Sequence, residues 1–253
     1  MKKIKNYIKP QKLTKYGNKS INKIEKRNES MKINHLLENT LLKPTATTSE
    51  IEKLCLDARE YGFGAVCIPP PFVKLCKELL QYSPIKISTV VGFPFGYSAI
   101  EAKLAEILLS IVDGADDLEV VINFMAIKNN DWRYISNEII HLMQVISSSH
   151  KAITIIVECG VLTNDELIKC CELYSAADIN AIKTSTGFAA ENVTLGKLKL
   201  MRKHLPEAIK IKAYGDIINY GFASLLLQAG ATTIGSENSV AIIKEQLLSN
   251  NMN

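Results

Sequence analysis

From residue 36 onward, short aliphatic runs alternate with stretches whose apolar residues recur every three or four positions. The runs are "LLENTLL" (36–42), "GAVCI" (64–68), "KISTVVGF" (86–93), "DLEVVIN" (117–123), "AITIIVE" (152–158), "INAIK" (179–183), "AIKIKA" (208–213) and "ATTIG" (231–235). Between them lie amphipathic stretches at 49–61, 71–80, 98–112, 132–148, 164–176, 193–204, 219–228 and 239–248. In the first of these, Ile51, Leu54, Cys55 and Ala58 fall on one helical face behind the cap-like Thr48 and Ser49. Strands buried on both faces read as continuous apolar runs, and eight strand–helix units predict an α/β fold, a (β/α)8 TIM barrel. An open doubly wound sheet is the structural alternative. Its usual support is missing, because no G-x-G-x-x-G follows the first run.

Ionisable residues interrupt these runs where a barrel would hold its chemistry. Lys183 ends the sixth run, Lys212 nearly ends the seventh, Glu158 ends the fifth and Glu119 lies inside the fourth. A lysine at the end of a core element is costly unless it is paired or used. Catalytic residues of such barrels sit at the C-terminal ends of strands, so four ionisable groups on four neighbouring runs are expected to converge on one mouth. A lysine near its reference pKa is protonated and cannot attack a carbonyl. Desolvation or a second cation lowers that pKa and frees the amine for Schiff-base formation. The expectation is therefore Lys183 as nucleophile, Lys212 as the cation that keeps it neutral, and Glu119 as proton relay. The iminium is the electron sink of such chemistry, so it requires no metal or cofactor. The four histidines form no ligand pattern.

Composition changes this picture at one end only. Residues 1–30 hold ten Lys/Arg against two Glu, a charge of +8, whereas the rest holds 20 basic and 24 acidic residues. The chain is expected to be a mildly acidic barrel over 31–253 behind a basic extension. That arm could touch an anionic surface. Its Lys/Asn-rich makeup fits better a solvated tail, or a stretch upstream of a working start at Met31, and nucleic acid is not the expected partner. No run of about 18 apolar residues predicts a membrane span. The six cysteines show no C-x-x-C spacing, which predicts reduced thiols in a cytoplasmic protein. Cys170 and Cys171, on an outer helix, are expected to be inert packing.

The stretches "NTLLKPTAT" (39–47), "EYGFGAVCI" (60–68), "STVVGFPFG" (88–96), "GADDLEVVIN" (114–123), "IKTSTGF" (182–188) and "AGATTIG" (229–235) together resemble deoxyribose-phosphate aldolase. They occur in family order across roughly residues 33–245. The resemblance implies a (β/α)8 class I aldolase that cleaves 2-deoxyribose 5-phosphate to acetaldehyde and glyceraldehyde 3-phosphate. It implies Lys183 as the Schiff-base lysine of the K-T-S-T-G motif and Lys212 as the second lysine. Glu38, Thr40, Leu42, Cys67, Thr186, Gly187, Gly215, Asp216, Gly235, Glu237 and Asn238 are then the expected substrate-binding residues. Cys67 reads as a reactive thiol or, more simply, as a small buried hydrophobe.

Departures from the family pattern fall in two places. Glu119 and Glu38 stand where the family carries aspartates, which pushes each charge about one methylene further out. The phosphate end reads "KAYGDI" (212–217) and "GSENSV" (235–240), where the family has K-x-S-G-G and a G-x-S-S-G-like turn. Asp216 and Glu237 would repel a phosphate if they point inward and are desolvated. Two rivals follow: an aldolase for a sugar or aldehyde without phosphate, and a catalytically weak barrel kept as a binding protein. A small-molecule substrate and a possible homo-oligomer complete the expectation.

Overall fold

The computed structural model describes residues 32–251, so the basic arm at 1–30 and any start at Met31 lie outside the described residues. The eight strands are β1 (Leu37–Thr40), β2 (Ala65–Ile68), β3 (Lys86–Val91), β4 (Asp117–Val121), β5 (Ala152–Ile156), β6 (Ala181–Lys183), β7 (Lys210–Ala213) and β8 (Thr233–Ser236). All pair in parallel, in sequence order, and β8 returns to β1 to close the barrel. Nine α-helices are found among the described residues: α1 (Thr48–Tyr61), α2 (Val73–Leu79), α3 (Ile100–Asp113), α4 (Phe124–Lys128), α5 (Trp132–Ser149), α6 (Asn164–Ala176), α7 (Leu195–His204), α8 (Tyr220–Gln228) and α9 (Ser239–Asn251). None of the helices is long and apolar enough to cross a membrane.

Local chemistry sets the helix ends. Thr47 and Glu50 form a capping box at the start of α1, and Thr163 and Glu166 form another at α6. Gly62 ends α1 at φ 69°, a left-handed cap that glycine adopts without strain. The "IPPPF" segment does not begin as α-helix. Pro70–Phe72 make a 3-10 turn, and α2 follows it. The short α4 is an addition to the eight expected helices, capped by Asn123 and too brief to show helical periodicity.

Strand alternation sorts the two faces. Leu37, Val66, Ile87, Leu118, Ile153, Ile182, Ile211 and Ile234 point outward and are buried under the helices. Each such aliphatic contributes about 1.5–3 kcal/mol of burial. The inward residues, followed through the strand register, stack in layers of four taken from alternate strands. The lowest layer, at the N-terminal end, is Ala65, Asp117, Ala181 and Thr233. Above it come Glu38, Ser88, Thr154 and Lys212, then Cys67, Glu119, Lys183 and Gly235. The fourth layer is Thr40, Val90, Ile156 and Tyr214. Bulky branched residues usually fill such a barrel. Here the two central layers are polar.

Candidate active site

Two glutamates and two lysines from the central layers form a closed ring. Lys183 Nζ lies 3.1 Å from Glu38 Oε1 and 2.5 Å from Glu119 Oε2. Lys212 Nζ donates to the other oxygen of each glutamate, to Glu38 Oε2 and, at 2.7 Å, to Glu119 Oε1. Asp117 Oδ2 is a further partner of Lys212 at 2.8 Å and is itself held by the Thr154 hydroxyl. Ser88 Oγ donates to Glu38 Oε2 at 3.0 Å, and the Cys67 thiol donates to Glu119 Oε2 at 3.2 Å. Each lysine sits on a different strand, and the register Lys183↔Lys212 brings them side by side.

The ring's electrostatics differ from the sequence expectation. Burial alone would lower the pKa of Lys183, but the charges of Glu119 and Glu38 outweigh it and hold the ammonium form well above the usual lysine range. Lys212 does pull Lys183 downward, as a like charge must, but the carboxylates win. Lys212 is raised in the same way: burial opposes its charge while Asp117, Glu119 and Glu38 favour it. The two glutamates part company. Burial would raise Glu38, yet Lys183 and Lys212 depress it far below the carboxylate range. Glu119 is raised by burial and by the Glu38 charge, against the pull of both lysines. Glu38 is thus the fixed counter-ion, and Glu119 is the carboxyl that accepts a proton most readily. The 2.5 Å contact sets the Lys183 ammonium directly against Glu119 Oε2.

Other expected residues take separate places. Cys67 is buried, and burial followed by the Glu119 charge pushes its thiol well above the ordinary value, so it is a neutral hydrogen-bond donor and not a thiolate. Glu158 does not join the lysines. It lies two residues beyond β5 at φ 46° and accepts from the Thr186 amide at 2.8 Å and from the Thr186 hydroxyl, which fixes the turn into Gly187. Leu42 packs over the ring with Cys67, Val90, Val121, Ile156 and Tyr214. Thr40 donates to the Glu38 carbonyl at 3.0 Å. Gly187, Gly215, Asp216, Gly235, Glu237 and Asn238 all line one cavity of about 190 Å³ at the C-terminal end. Asp216 and Glu237 are exposed there, so water screens their charge. Asp216 sits at φ 53° and accepts from Asn192 Nδ2 at 2.6 Å.

Sequence reasoning missed four participants. Asp117 is two residues before Glu119 and therefore faces the same way, a signal that alternation alone provides. Ser88 and Thr154 carry the same period, but as small hydroxyl residues they stand out in no run. Tyr214 is the largest omission. Its ring centroid is 4.7 Å from Lys183 Nζ, and a side chain at Gly187 or Gly235 would press on the ring. Tyr214 thus lies between the lysine and the small cavity. Glu38, Cys67 and Glu119 could in principle hold a metal ion, their ligand atoms lying within 4.8 Å of one another. The Lys183 ammonium already bonds to all three, at 2.5–3.7 Å. A cation there would have to displace it.

A closed (β/α)8 barrel with a buried lysine–carboxylate ring in its interior has the architecture of a barrel enzyme. No family model matches the chain. Curated relatives do. The chain is 39% identical over 223 residues to the deoxyribose-phosphate aldolase of Caldanaerobacter subterraneus subsp. tengcongensis, covering 88% of this chain and 96% of that one. It is 39% identical over 212 residues to deoxyribose-phosphate aldolase 1 of Bacillus licheniformis, covering 84% and 95%. Among solved structures, "QR15, an Aldolase" superposes with a TM-score of 0.81 at 31% identity, covering 87% of this chain and 98% of that one. The tetrameric deoxyribose phosphate aldolase of Aeropyrum pernix shares the fold, with a TM-score of 0.78 at 24% identity over 85% of this chain and 91% of that one. This chain belongs to the deoxyribose-phosphate aldolase family, a family of carbon–carbon lyases.

Proposed function

We propose that the chain is a class I aldolase that cleaves 2-deoxy-D-ribose 5-phosphate to acetaldehyde and D-glyceraldehyde 3-phosphate through a Schiff base on Lys183. The observation that carries this reading is the buried Lys183 amine with a receptive carboxyl, Glu119, at 2.5 Å and a second lysine on the adjoining strand. Lys183 passes its proton to Glu119, attacks the C1 carbonyl, and forms a carbinolamine. Glu119 returns the proton to the departing hydroxyl, and water leaves. The iminium then accepts the electron pair of the C2–C3 bond as the C3 hydroxyl loses its proton to the relay. This releases the three-carbon aldehyde and leaves an enamine. Protonation at C2 and hydrolysis release acetaldehyde and free Lys183. Tyr214 must swing aside for the carbonyl to reach the amine, because its ring covers the amine on the C-terminal side.

The phosphate end supports a second reading. The ten residues lining the small C-terminal cavity include Asp216, Glu237 and the Tyr214 hydroxyl, and no lysine or arginine. A phosphate there would rest on backbone N–H groups beside the start of α9. A hydroxylated, uncharged acceptor would suit the same lining without repulsion. Homo-oligomeric assembly is proposed on the exposed Leu108, Leu109 and Val112 of α3, and a reducing, cytoplasmic setting on six buried free thiols.

Borohydride reduction in the presence of acetaldehyde, read by peptide mass spectrometry, tests the assignment. One adduct on the peptide containing Lys183 is expected. An adduct on Lys212, or none, overturns it. Comparing kcat/KM for deoxyribose 5-phosphate and free deoxyribose then separates the two substrate readings.

A further inference from the structure

The ring of lysines and glutamates is closed on the side from which substrate arrives and open on the other. Above it, the layer of Thr40, Val90, Ile156 and Tyr214 is largely apolar and buried. Two cavities at the C-terminal end, of about 190 and 570 Å³, are lined by neither Lys183 nor Lys212. Below it, the lowest layer contains two alanines where bulky side chains usually sit. A cavity of about 490 Å³ opens there, at the N-terminal end of the strands, and its lining includes Ala65, Ala181, Asp117, Lys212 and Glu38. The side-chain exposures follow this asymmetry. Lys212 and Asp117 are 10% and 12% exposed, whereas Lys183 is 1% and Glu38 and Glu119 are 0% exposed.

We infer that this N-terminal cavity is a proton inlet, through which Lys212 and Asp117 connect the buried Glu119 to solvent. The space is faced by charged side chains, Lys212 and Asp117 among them, and is many times larger than the roughly 10–15 Å³ of probe volume that one water needs. Lys212 gives a proton across its 2.7 Å bond to the Glu119 carboxylate, leaving an amine and a carboxylic acid. The amine takes a proton back from a water in the cavity, beside Asp117, which holds its ammonium at 2.8 Å, and the hydroxide left behind passes out through the cavity to bulk solvent. Run backwards, the same steps export a proton. One proton moves and nothing is oxidised or reduced. Substrate and protons thus reach the ring from opposite ends of the barrel, so the relay can re-equilibrate with solvent while the C-terminal side is occupied. The inference rests on Lys183 forming the imine and Glu119 relaying its protons.

The test is solvent exchange at carbon measured against imine formation. Propanal is incubated with the enzyme in D2O, deuterium entering its α-carbon is followed by NMR, and the imine is trapped in parallel with borohydride. Ala65→Leu and Ala181→Leu, made singly, refill the lowest layer and leave every residue of the ring itself unchanged. Either folded variant should keep the trapped imine within about twofold of the unaltered chain while exchange per imine falls at least tenfold. Unchanged exchange per imine in a variant whose circular dichroism is native would overturn the inlet and assign proton entry to the C-terminal mouth. Absence of an imine in the unaltered chain would overturn the Schiff-base reading and the inlet with it. An imine with no α-exchange would overturn the inlet alone.

Discussion

Each glutamate of the ring uses both its oxygens, one on Lys183 and one on Lys212, and this bridging requires reach. The extra methylene at Glu38 is matched by the one at Glu119, so the two departures from the family pattern belong to one arrangement. Their charges pull Lys183 in the opposite direction to Lys212, which gives a pair of predictions of opposite sign. Imine formation needs the neutral amine. Glu38→Gln removes a charge that raises the Lys183 pKa, so the rise of trapping rate with pH should move to lower pH. Lys212→Met removes a charge that lowers it, so the same rise should move to higher pH. Borohydride trapping with acetaldehyde across a pH series reads both. Matching shifts of one sign would show that burial, and not the neighbouring charges, sets the profile. Stability carries its own sign. The depressed Glu38 contributes fully above its unfolded value of about 4.3, and that contribution is lost as pH falls toward its folded one.

At the scale of elements, α3 and α5 are tied to β4 by a second buried pair. Lys103 Nζ lies 2.7 Å from both Glu138 Oε1 and the Val121 carbonyl, and both side chains are buried. Burial lowers the Lys103 pKa and raises that of Glu138 despite their pairing, so desolvation outweighs attraction here. Breaking such a pair from one side strands the other charge. Lys103→Met should therefore destabilise by about 3–5 kcal/mol, and adding Glu138→Leu should recover most of the loss. Urea unfolding of the two variants checks this; equal losses would mean that the apolar replacements pack badly. The periodicity of 98–112 and 132–148 announced both helices, because period 3.6 is a local property. Their buried ion pair left no trace in it, since a lysine and a glutamate on amphipathic helices read as solvent-facing.

For the molecule as a whole, the eight runs were legible because a parallel strand covered on its outer face must be aliphatic at every second position. The inner face was legible only where a charge interrupted it, as at Lys183, Lys212 and Glu119, while Glu38 was reached through the family resemblance alone. Glu158 showed the limit of that signal: a positive φ turns it away to Thr186, and a string of residues carries no dihedral angle. Tyr214 showed another, because an aromatic residue after a strand looks like core until the ring is seen against an amine. Barrel closure uses strands within residues 37–236 only. A chain beginning at Met31 should keep its melting temperature within a few degrees and its trapping rate within about twofold. Thermal unfolding and borohydride trapping of the shortened chain measure both, and a large loss in either would give the arm a structural role.

Closing the barrel by pairing the first strand with the last has a consequence for synthesis. Leu37 meets Ile234, so β1 leaves the ribosome with one edge that nothing can cover until β8 emerges about 200 residues later. At about 5–20 residues per second, that edge waits on the order of 10–40 s. An open hydrophobic edge is a template for pairing with another chain. For most of that interval Glu38 has neither ammonium partner, because Lys183 and Lys212 follow it by 145 and 174 residues, and its carboxylate stays charged and hydrated in the middle of the exposed strand. The residue that later anchors the ring is, in the nascent chain, the charge that discourages β1 from joining the wrong sheet.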